Sequence, residues 1–268
     1  MKQYRVGFIG AGNMATAIIT NLVMKNIIIP SDIIVYDLSS EKCSLLSKIG
    51  VTVSENATEL TRASDIIFLA VKPQNYTEVI SEISDAVTSE KIIVSVAAGI
   101  STDFIEKNIG FPCKILRTMP NTPLLLGEGA TAICKNSLVT EKDFEIVLTI
   151  FKSAGVVEHV SEELMNNIIA VNGSSPAYIY LFAKAIIDHA VKDGIDEESA
   201  KRLFAQTLIG SAKMIASSGI AIDELIKMVS SPGGTTLKAL EVFEQREFTN
   251  IIDSAMTACT KRAEELSK

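Results

Sequence analysis

The sequence predicts an α/β fold in which a mostly parallel sheet is followed by an all-helical region. Up to about residue 160, short apolar runs alternate with amphipathic segments, which is typical of parallel strands covered by helices on both faces. From about Glu162 onward the strand patterns end, and apolar residues recur at helical spacing in segments such as EESAKRLFAQTLIGSAKMIA. We therefore expect two domains, covering residues 1–160 and 161–268.

Eight apolar runs of strand length are expected to build the sheet. They cover residues 5–9, 33–37, 51–53, 66–71, 91–96, 115–119, 130–134 and 156–160. Helical patterns lie between most of them, for example over residues 14–25 and 40–48. In the second region, the segment SPAYIYLFAKAIIDHAVKDG, beginning at Ser175, is apolar on more than one face. Such a helix is either covered by a second subunit or central within one subunit, and both alternatives stay open.

The composition is that of a globular protein, with 47% hydrophobic and 21% charged residues. A formal net charge of −7 argues against nucleic acid as a partner. Four scattered cysteines and two histidines argue against a metal site or a disulfide framework and favour a cytoplasmic location. Glycine and asparagine interrupt the apolar run that follows Lys2 and Arg5, so a strand, a turn and a helix are expected there rather than a signal peptide or a membrane span.

The segment GFIGAGNMATAI contains the pattern Gly10-x-Gly12-x-x-Ala15 between the first strand and the first helix. Gly10 permits a tight turn, Gly12 lets backbone N–H groups approach a pyrophosphate, and Ala15 allows close packing of the helix on the strand. The alternative is an ordinary glycine turn. Because the pattern stands between a strand and a helix, it predicts a dinucleotide-binding, Rossmann-like domain.

Residues at the ends of three further strands extend this predicted site. Asp37 ends the second strand, where a carboxylate bonds the ribose hydroxyls of NAD and repels a 2′-phosphate; otherwise it caps the next helix. Lys72 stands at the end of the fourth strand, where it meets the phosphates or is a solvated surface lysine, and small residues follow the fifth strand. Ligands of such sheets bind beyond the carboxyl ends of strands, so we expect NADH or NADPH as cofactor, with Asp37 favouring NADH.

Seven short motifs occur in order along the chain: GFIGAGNM, LAVKP, VSVAAGIS, RTMPNTP, NGSSPAY, GSAKM and SSPGGTT. In this combination the sequence resembles the pyrroline-5-carboxylate reductases from the first strand to the last helix. The resemblance implies reduction of the C=N bond of L-1-pyrroline-5-carboxylate to L-proline with NADPH or NADH, the last step of proline biosynthesis. It also implies a helical domain that forms a homodimer, with dimers assembling into larger homo-oligomers such as decamers.

The resemblance carries a set of cofactor-binding positions onto this chain. They are Gly7, Phe8, Ile9, Gly10, Ala11, Gly12, Asn13, Met14, Ala15, Tyr36, Asp37, Leu38, Asn56, Ala70, Val71, Lys72, Pro73, Val96, Ala97 and Ala98. Asn56 stands one residue away from the asparagine of relatives. Met228 replaces a polar residue that some relatives have, and Asp37 differs from relatives specialised for NADPH.

The segment SSPGGTTLKAL is expected to bind the carboxylate of the substrate. Ser231, Gly233 and Gly234 can turn the chain so that successive N–H groups point one way at the start of a helix. The resemblance assigns the carboxylate to the N–H groups of Gly234, Thr235 and Thr236, and it assigns the ring nitrogen to the Thr236 hydroxyl. The alternative, which the segment by itself leaves open, is a Pro-Gly turn between helices with hydroxyl caps. Because threonine is too weak an acid to protonate an imine alone, Thr236 is expected to orient the substrate and relay a proton.

Other motif residues are expected around this site. Glu162 aligns with an acidic residue that the family places near the substrate, or else SEEL is a helix cap with its first turn. Residues 174–176 of NGSSPAY and 119–121 of RTMPNTP are expected to shape the pocket. His159 and His189 are expected to be structural.

Two alternative functions stay open. A β-hydroxyacid dehydrogenase or a related imine reductase combines the same kinds of domain, and it would place a catalytic lysine on the first long helix, where Lys184 stands. A non-catalytic nicotinamide sensor would need a partner-binding surface or a DNA-binding element, which the acidic charge does not favour.

Overall fold

The computed structural model describes residues 4–266, so Lys2 lies outside the described part of the chain. Two compact units are present: the sheet unit (Met1–Pro176 with Ala258–Lys268) and the helical unit (Ala177–Thr257). The unit boundary is thus 16 residues later than the predicted domain boundary, and the last helix belongs to the sheet unit only from Ala258 onward. The two compact units need not coincide with the functional domains, and the domain boundary between residues 160 and 161 stays a prediction.

One eight-stranded sheet forms the centre of the sheet unit, and the predicted strands are confirmed. The strands are β1 (Tyr4–Ile9), β2 (Ile33–Tyr36), β3 (Thr52–Val53), β4 (Ser64–Leu69), β5 (Ile92–Ser95), β6 (Lys114–Met119), β7 (Gly129–Lys135) and β8 (Gly155–His159). Their order is β3-β2-β1-β4-β5-β6-β7-β8, and all neighbours are parallel except the antiparallel pair β6 and β7. Successive strands are added to one side of β1 up to β3 and to its other side from β4 onward, so the strand order reverses between β1 and β4. Ligands of open α/β sheets bind beyond such a switch point.

Helices connect the strands and build the rest of the chain. They are α1 (Asn13–Met24), α2 (Ser40–Ser47), α3 (Ala57–Ala63), α4 (Tyr76–Ile83), α5 (Thr102–Ile109), α6 (Glu141–Lys152), α7 (Met165–Ile168), α8 (Ser175–Lys192), α9 (Glu197–Ser217), α10 (Ile222–Met228), α11 (Thr235–Gln245) and α12 (Phe248–Leu266). A π-helical segment, Ile169–Gly173, precedes α8. Beyond β8 no strand follows in the described chain, as the loss of strand patterns near Glu162 predicts.

The apolar core of the sheet unit consists of two clusters, because side chains of a strand alternate between the faces of the sheet. Phe8 belongs to one cluster, where its ring stacks on Phe68 with a centroid distance of 4.5 Å. The neighbouring Ile9 belongs to the other cluster, with Ile67 and Ile80. Since both faces are covered, the central strands carry apolar side chains on both faces, for example Ile67 and Phe68 of β4.

The helical unit exposes an unusual amount of apolar surface. Within residues 177–257, all of which the structure describes, Ala200 is the one buried residue. Leu181 and Leu203 are 71% and 70% exposed, and Val229 is 67% exposed. Apolar surface of this extent marks a protein interface. It therefore favours the first of the two predicted alternatives for α8, coverage by a second subunit.

Among the described residues, no helix combines the length and the apolar character needed to cross a membrane.

Candidate functional site

The turn between β1 and α1 has the features of a phosphate-binding turn. Gly10 has a φ of +105°, and a Cβ at this position would lie 2.5 Å from the carbonyl oxygen of Ala70. Both the backbone conformation and the close approach of the chain after β4 therefore require glycine. Gly12 is the N-cap residue of α1, and a Cβ there would meet nothing within 4 Å. Open space at the N-terminus of a 12-residue helix, whose first N–H groups have no intrahelical partner, fits a pyrophosphate.

A cavity of about 610 Å³ opens beside this turn, at the switch point between β1 and β4. Its volume is within the range of small-molecule and cofactor sites. The predicted cofactor residues on its wall are Ile9, Gly10, Gly12, Tyr36, Asp37, Leu38, Ala70, Val71 and Lys72. The structure thus brings together residues that follow three different strands, which is the arrangement expected of a dinucleotide site.

Part of the cavity wall was not anticipated by sequence reasoning. The additional lining residues are Ser39, Lys42, Ala57, Asn75, Glu78, Val79 and Glu82. Four of them, residues 75, 78, 79 and 82, recur at the spacing of one helix face at the start of α4 and along it. That spacing places them on one face of α4, but only the cavity beside this face shows that they line the site.

Asp37 connects the turn after β1 with the turn after β2. The Ala11 N–H donates to its Oδ2 at 2.7 Å, and the Ser39 N–H donates to its Oδ1 at 2.8 Å. Lys42 Nζ lies 3.6 Å from Oδ1, and the Asp37 side chain is 15% exposed. The predicted alternative, in which Asp37 caps the next helix, is not observed, because α2 has Ser39 as its N-cap residue.

Several predicted cofactor residues support the cavity from behind its wall. Phe8 and Ala15 are fully buried in the core, and a Cβ at Gly7 would lie 2.4 Å from Ser64 Oγ. The Asn56 side chain caps α3 by accepting the Glu59 N–H at 2.8 Å, and the next residue, not Asn56, lines the cavity. A second group of predicted residues lies at helix or turn starts: Asn13 and Met14 begin α1, and Pro73 begins a 3₁₀ turn. Their contribution to cofactor binding stays a prediction.

The chain beyond β5 is held by a buried hydroxyl network. The Tyr76 hydroxyl donates to the Leu69 carbonyl at 2.7 Å and lies 2.9 Å from Ser95 Oγ. Burial raises the pKa of Tyr76 far above its usual value, so this hydroxyl stays a donor. The Val96 N–H also donates to Leu69, at 3.3 Å. The predicted residues Val96, Ala97 and Ala98 thus follow directly on a strand end that these buried hydrogen bonds hold in place.

Two predicted motifs, RTMPNTP and NGSSPAY, meet through a pair of asparagines. Asn172 Nδ2 donates to the carbonyls of Met119 and Ala130 at 2.7 and 2.9 Å. Asn121 Nδ2 donates to the Asn172 carbonyl at 3.2 Å, and Asn121 Oδ1 accepts the Ala130 N–H at 2.9 Å. These bonds connect β7, the segment after β6 and the π-helical segment before α8.

Glu162 lies in the sheet unit, where its carboxylate already has hydrogen-bond and ion-pair partners. Its Oε1 accepts the Thr102 N–H at 2.7 Å, its Oε2 accepts the Thr102 hydroxyl, and Arg117 Nη1 lies 3.8 Å from Oε1. Burial lowers the pKa of the Arg117 guanidinium, an effect that Glu162 opposes, and Asn166 Oδ1 accepts a further bond from Arg117 at 2.6 Å. Glu162 thus stabilises the start of α5 and balances a buried cation; its role in substrate binding stays a prediction.

The predicted substrate loop, residues 231–236, lies at the N-terminus of α11 in the helical unit. Gly233 has a φ of +73°, and the Gly234 N–H donates to the Ser231 carbonyl at 2.9 Å. Gly234 is the N-cap residue of α11, and a glycine has no side chain that could accept a hydrogen bond. The first N–H groups of the helix, from Thr235 and Thr236 onward, are therefore not capped by a side chain of that residue. This geometry can bind a small anion such as a carboxylate.

The remaining candidates have local roles in the structure. The His159 ring packs against Phe144 with a centroid distance of 4.9 Å, and His189 Nε2 lies 3.4 Å from Asp193. Lys184 is paired with Asp188 one turn further along α8. Among the described residues, no group of three or more His, Cys, Asp or Glu side chains is arranged to hold a metal ion.

A doubly wound sheet with a glycine turn and a cavity at its switch point defines a Rossmann-type, dinucleotide-binding class of protein. A family model described as pyrroline-5-carboxylate reductase dimerisation matches residues 162–266, and one described as NADP oxidoreductase, coenzyme F420-dependent, matches residues 5–99. The pyrroline-5-carboxylate reductase of Escherichia coli K12 is 40% identical over 267 residues, which are 99% of each chain. That of Methanosarcina acetivorans is 35% identical over 269 residues, with full coverage of both chains.

Solved structures agree with these matches. A crystal structure of the Plasmodium falciparum pyrroline carboxylate reductase, with NADP bound, superposes with a TM-score of 0.92 at 32% identity and full coverage of both chains. The chain belongs to the pyrroline-5-carboxylate reductase family. The predicted fold class and the predicted family are therefore both confirmed.

Proposed function

We propose that this protein reduces L-1-pyrroline-5-carboxylate to L-proline with NAD(P)H. The observation that carries the proposal is the 40% identity with the Escherichia coli reductase over 99% of both chains. A match of this extent includes the glycine turn after β1 and the loop before α11. It favours the reductase over a β-hydroxyacid dehydrogenase, for which Lys184 would be the catalytic group.

The cofactor site is the cavity at the switch point of the sheet. The N–H groups at the start of α1 would hold the pyrophosphate beside Gly12, and the Asp37 carboxylate would accept the ribose hydroxyls. Lys72, on the cavity wall, would neutralise phosphate charge. When bound, NAD(P)H supplies the hydride that reduces the C=N bond.

The substrate is a small ring that carries one carboxylate. The free N–H groups at the N-terminus of α11 would bind this carboxylate, because a helix N-terminus presents aligned donors and a favourable dipole. The half-buried Thr236 would place its hydroxyl at the ring nitrogen. A protonated imine is the better electrophile, so Thr236 would hold the iminium N–H in place or relay a proton from water.

The assembly is proposed to be a homodimer formed through the helical unit, with dimers associating into a larger ring such as a decamer. The exposed apolar side chains of α8 and α9 support a dimer, as does the match of residues 162–266 to a dimerisation family model. The start of that match also supports the predicted domain boundary near residue 160. We further propose a cytoplasmic location and a place in proline biosynthesis, as its final step.

The decisive experiment follows the loss of reduced-nicotinamide absorbance with L-1-pyrroline-5-carboxylate. Wild type, Thr236→Ala and Thr236→Ser are compared, each with NADH and NADPH. We expect turnover by wild type, a fall in kcat/KM of about 10²-fold or more for Thr236→Ala, and partial recovery for Thr236→Ser, which keeps the hydroxyl. Thr149→Ala, which removes an exposed hydroxyl bonded within α6 of the sheet unit, is the control and should behave as wild type.

One outcome would overturn the proposed reaction, and another would overturn only the role of Thr236. Absence of turnover with either cofactor would remove the reductase assignment, and cofactor binding without turnover would identify a sensor instead. If Thr236→Ala retained full activity while the reaction proceeded, the assignment of Thr236 would be wrong, although the reaction itself would stand.

A further inference from the structure

We infer that Asp37 makes this protein select NADH over NADPH, an inference that rests on the proposed use of a nicotinamide cofactor. The two cofactors differ at one ribose, which carries a 2′-hydroxyl in NADH and a 2′-phosphate in NADPH. In Rossmann-type sites a carboxylate after the second strand contacts this ribose. Asp37 directly follows β2 and shares the cavity wall with Gly10 and Gly12 of the phosphate turn.

The hydrogen bonds of Asp37 suit a ribose and not a phosphate. An ionised carboxylate has about four lone-pair sites and no proton to donate. The N–H groups of Ala11 and Ser39 occupy one site on each oxygen, at 2.7 and 2.8 Å. The sites that remain can accept from two ribose hydroxyls. A 2′-phosphate carries a charge of about −1.5 to −2 at neutral pH and would bring a second anion to the same place.

The other charges of the cavity do not compensate for a second anion. On the described wall the carboxylates are those of Asp37, Glu78 and Glu82, the cations are Lys42 and Lys72, and no arginine is present. Sites for NADP use an arginine near the 2′-phosphate. Lys42 Nζ already lies 3.6 Å from Asp37 Oδ1 and is 51% exposed, so water screens its charge.

Of the three carboxylates, Asp37 is expected to have the largest effect on this selection, because its side chain is shielded from solvent whereas those of Glu78 and Glu82 are exposed. It is 15% exposed and pinned by two backbone N–H groups, so it cannot turn away from an approaching phosphate without losing both bonds. Glu78 and Glu82 are exposed on α4, and solvent and salt weaken their repulsion.

Calorimetric titration of the purified protein with NADH and with NADPH, without substrate, tests the inference directly. We expect wild type to bind NADH at least about tenfold more tightly than NADPH. In Asp37→Asn the isosteric amide lacks the charge, so the ratio of the two dissociation constants should fall towards one. Asp32→Asn is the matched control, because it makes the same change in net charge immediately before β2, at the opposite end of the strand. Its ratio should equal that of wild type.

The wild-type ratio is decisive even if Asp37→Asn does not fold, and Asp37→Ser serves as a second variant. Equal or tighter binding of NADPH by wild type would overturn the inference. So would an unchanged ratio in a folded Asp37 variant, or an equal change in Asp32→Asn. Because no substrate is present, these results do not depend on turnover. Failure to reduce pyrroline-5-carboxylate would remove the proposed reaction and leave the cofactor selection standing.

Discussion

Glu162 accepts two hydrogen bonds from Thr102, one from the backbone N–H and one from the side-chain hydroxyl. Thr102 is the first residue of α5, beyond β5, and Glu162 begins the 3₁₀ turn beyond β8. The contact therefore ties two strand-to-helix connections that are far apart in sequence. Since the same carboxylate faces the buried Arg117, its removal leaves two Thr102 donors without their acceptor and Arg117 without its counter-charge.

Replacement of Glu162 is expected to affect stability before it affects chemistry. Glu162→Ala should lower the free energy of unfolding by about 1–3 kcal/mol, because the Thr102 N–H loses its acceptor and Arg117 loses its counter-charge. Urea unfolding measures this loss, and Glu163→Ala, at the next residue, should have the smaller effect. A variant Glu162→Gln of normal stability whose KM for pyrroline-5-carboxylate is raised would instead place Glu162 at the substrate.

Gly233→Ala is expected to impair substrate binding selectively. Gly233 and Gly219 have φ values of +73° and +69°, and a Cβ at either position would meet nothing within 4 Å. Alanine at each should therefore cost the same backbone strain, about 1–2 kcal/mol. Only Gly233 belongs to the loop before α11, so only Gly233→Ala should raise the KM for pyrroline-5-carboxylate, with the dissociation constant for NADH unchanged. Equal KM values for the two variants would contradict a role of this loop in binding.

Leu203→Glu is expected to weaken the dimer. Leu203 is 70% exposed on α9, and a carboxylate at this position would have to be desolvated in an apolar interface. Light scattering coupled to size exclusion should show a smaller species at low micromolar protein. Lys201→Glu, on the opposite side of the same helix and also exposed, is the control. If Leu203→Glu kept the wild-type mass at all concentrations, this face of α9 would not be the interface.

Stability is expected to fall at alkaline pH in part because of Cys134. Burial, assisted by the charge of Glu162, raises the pKa of the Cys134 thiol to about 12. In an unfolded chain the pKa of a cysteine thiol is about 8.5. Above that lower value the unfolded chain loses a proton that the folded protein keeps. The free energy of unfolding should therefore decrease as pH rises from about 9, by at most about 1.4 kcal/mol per pH unit for this thiol.

Cys134→Ala should have a shallower pH slope than wild type over the same range, measured by denaturant unfolding at several pH values. Ile133→Val, the neighbouring position in β7, removes buried volume but no proton and should keep the wild-type slope. Parallel slopes for wild type and Cys134→Ala would mean that the thiol ionises equally in both states. Cys113, whose pKa burial raises to about 11, contributes in the same direction.

Much of the fold could be predicted because its signals are local. The strand expected over residues 66–71 is observed as Ser64–Leu69, and the displacement has a reason: Ala70 and Val71 leave the sheet to line the cavity. The face of α4 that carries Glu78 and Glu82 was missed, since it reads as an ordinary solvated helix until the cavity beside it is known. The cap bond that Asn56 accepts from the Glu59 N–H was missed as well, although an asparagine three residues before a glutamate is a helix-start pattern.

The sequence by itself determined the alternation of strands and helices, the glycine turn at Gly10 and the family of the protein. These features depend on the two-residue period of strands, the 3.6-residue period of helices and the sterics of single residues, all of which a linear sequence displays. Only the tertiary structure decided that Glu162 holds Thr102, that β6 and β7 are antiparallel, and that Asp37 accepts the Ala11 N–H. Each of these joins segments whose approach depends on how the whole sheet packs, and a hydrogen bond forms only once that packing has placed its two atoms within about 3 Å.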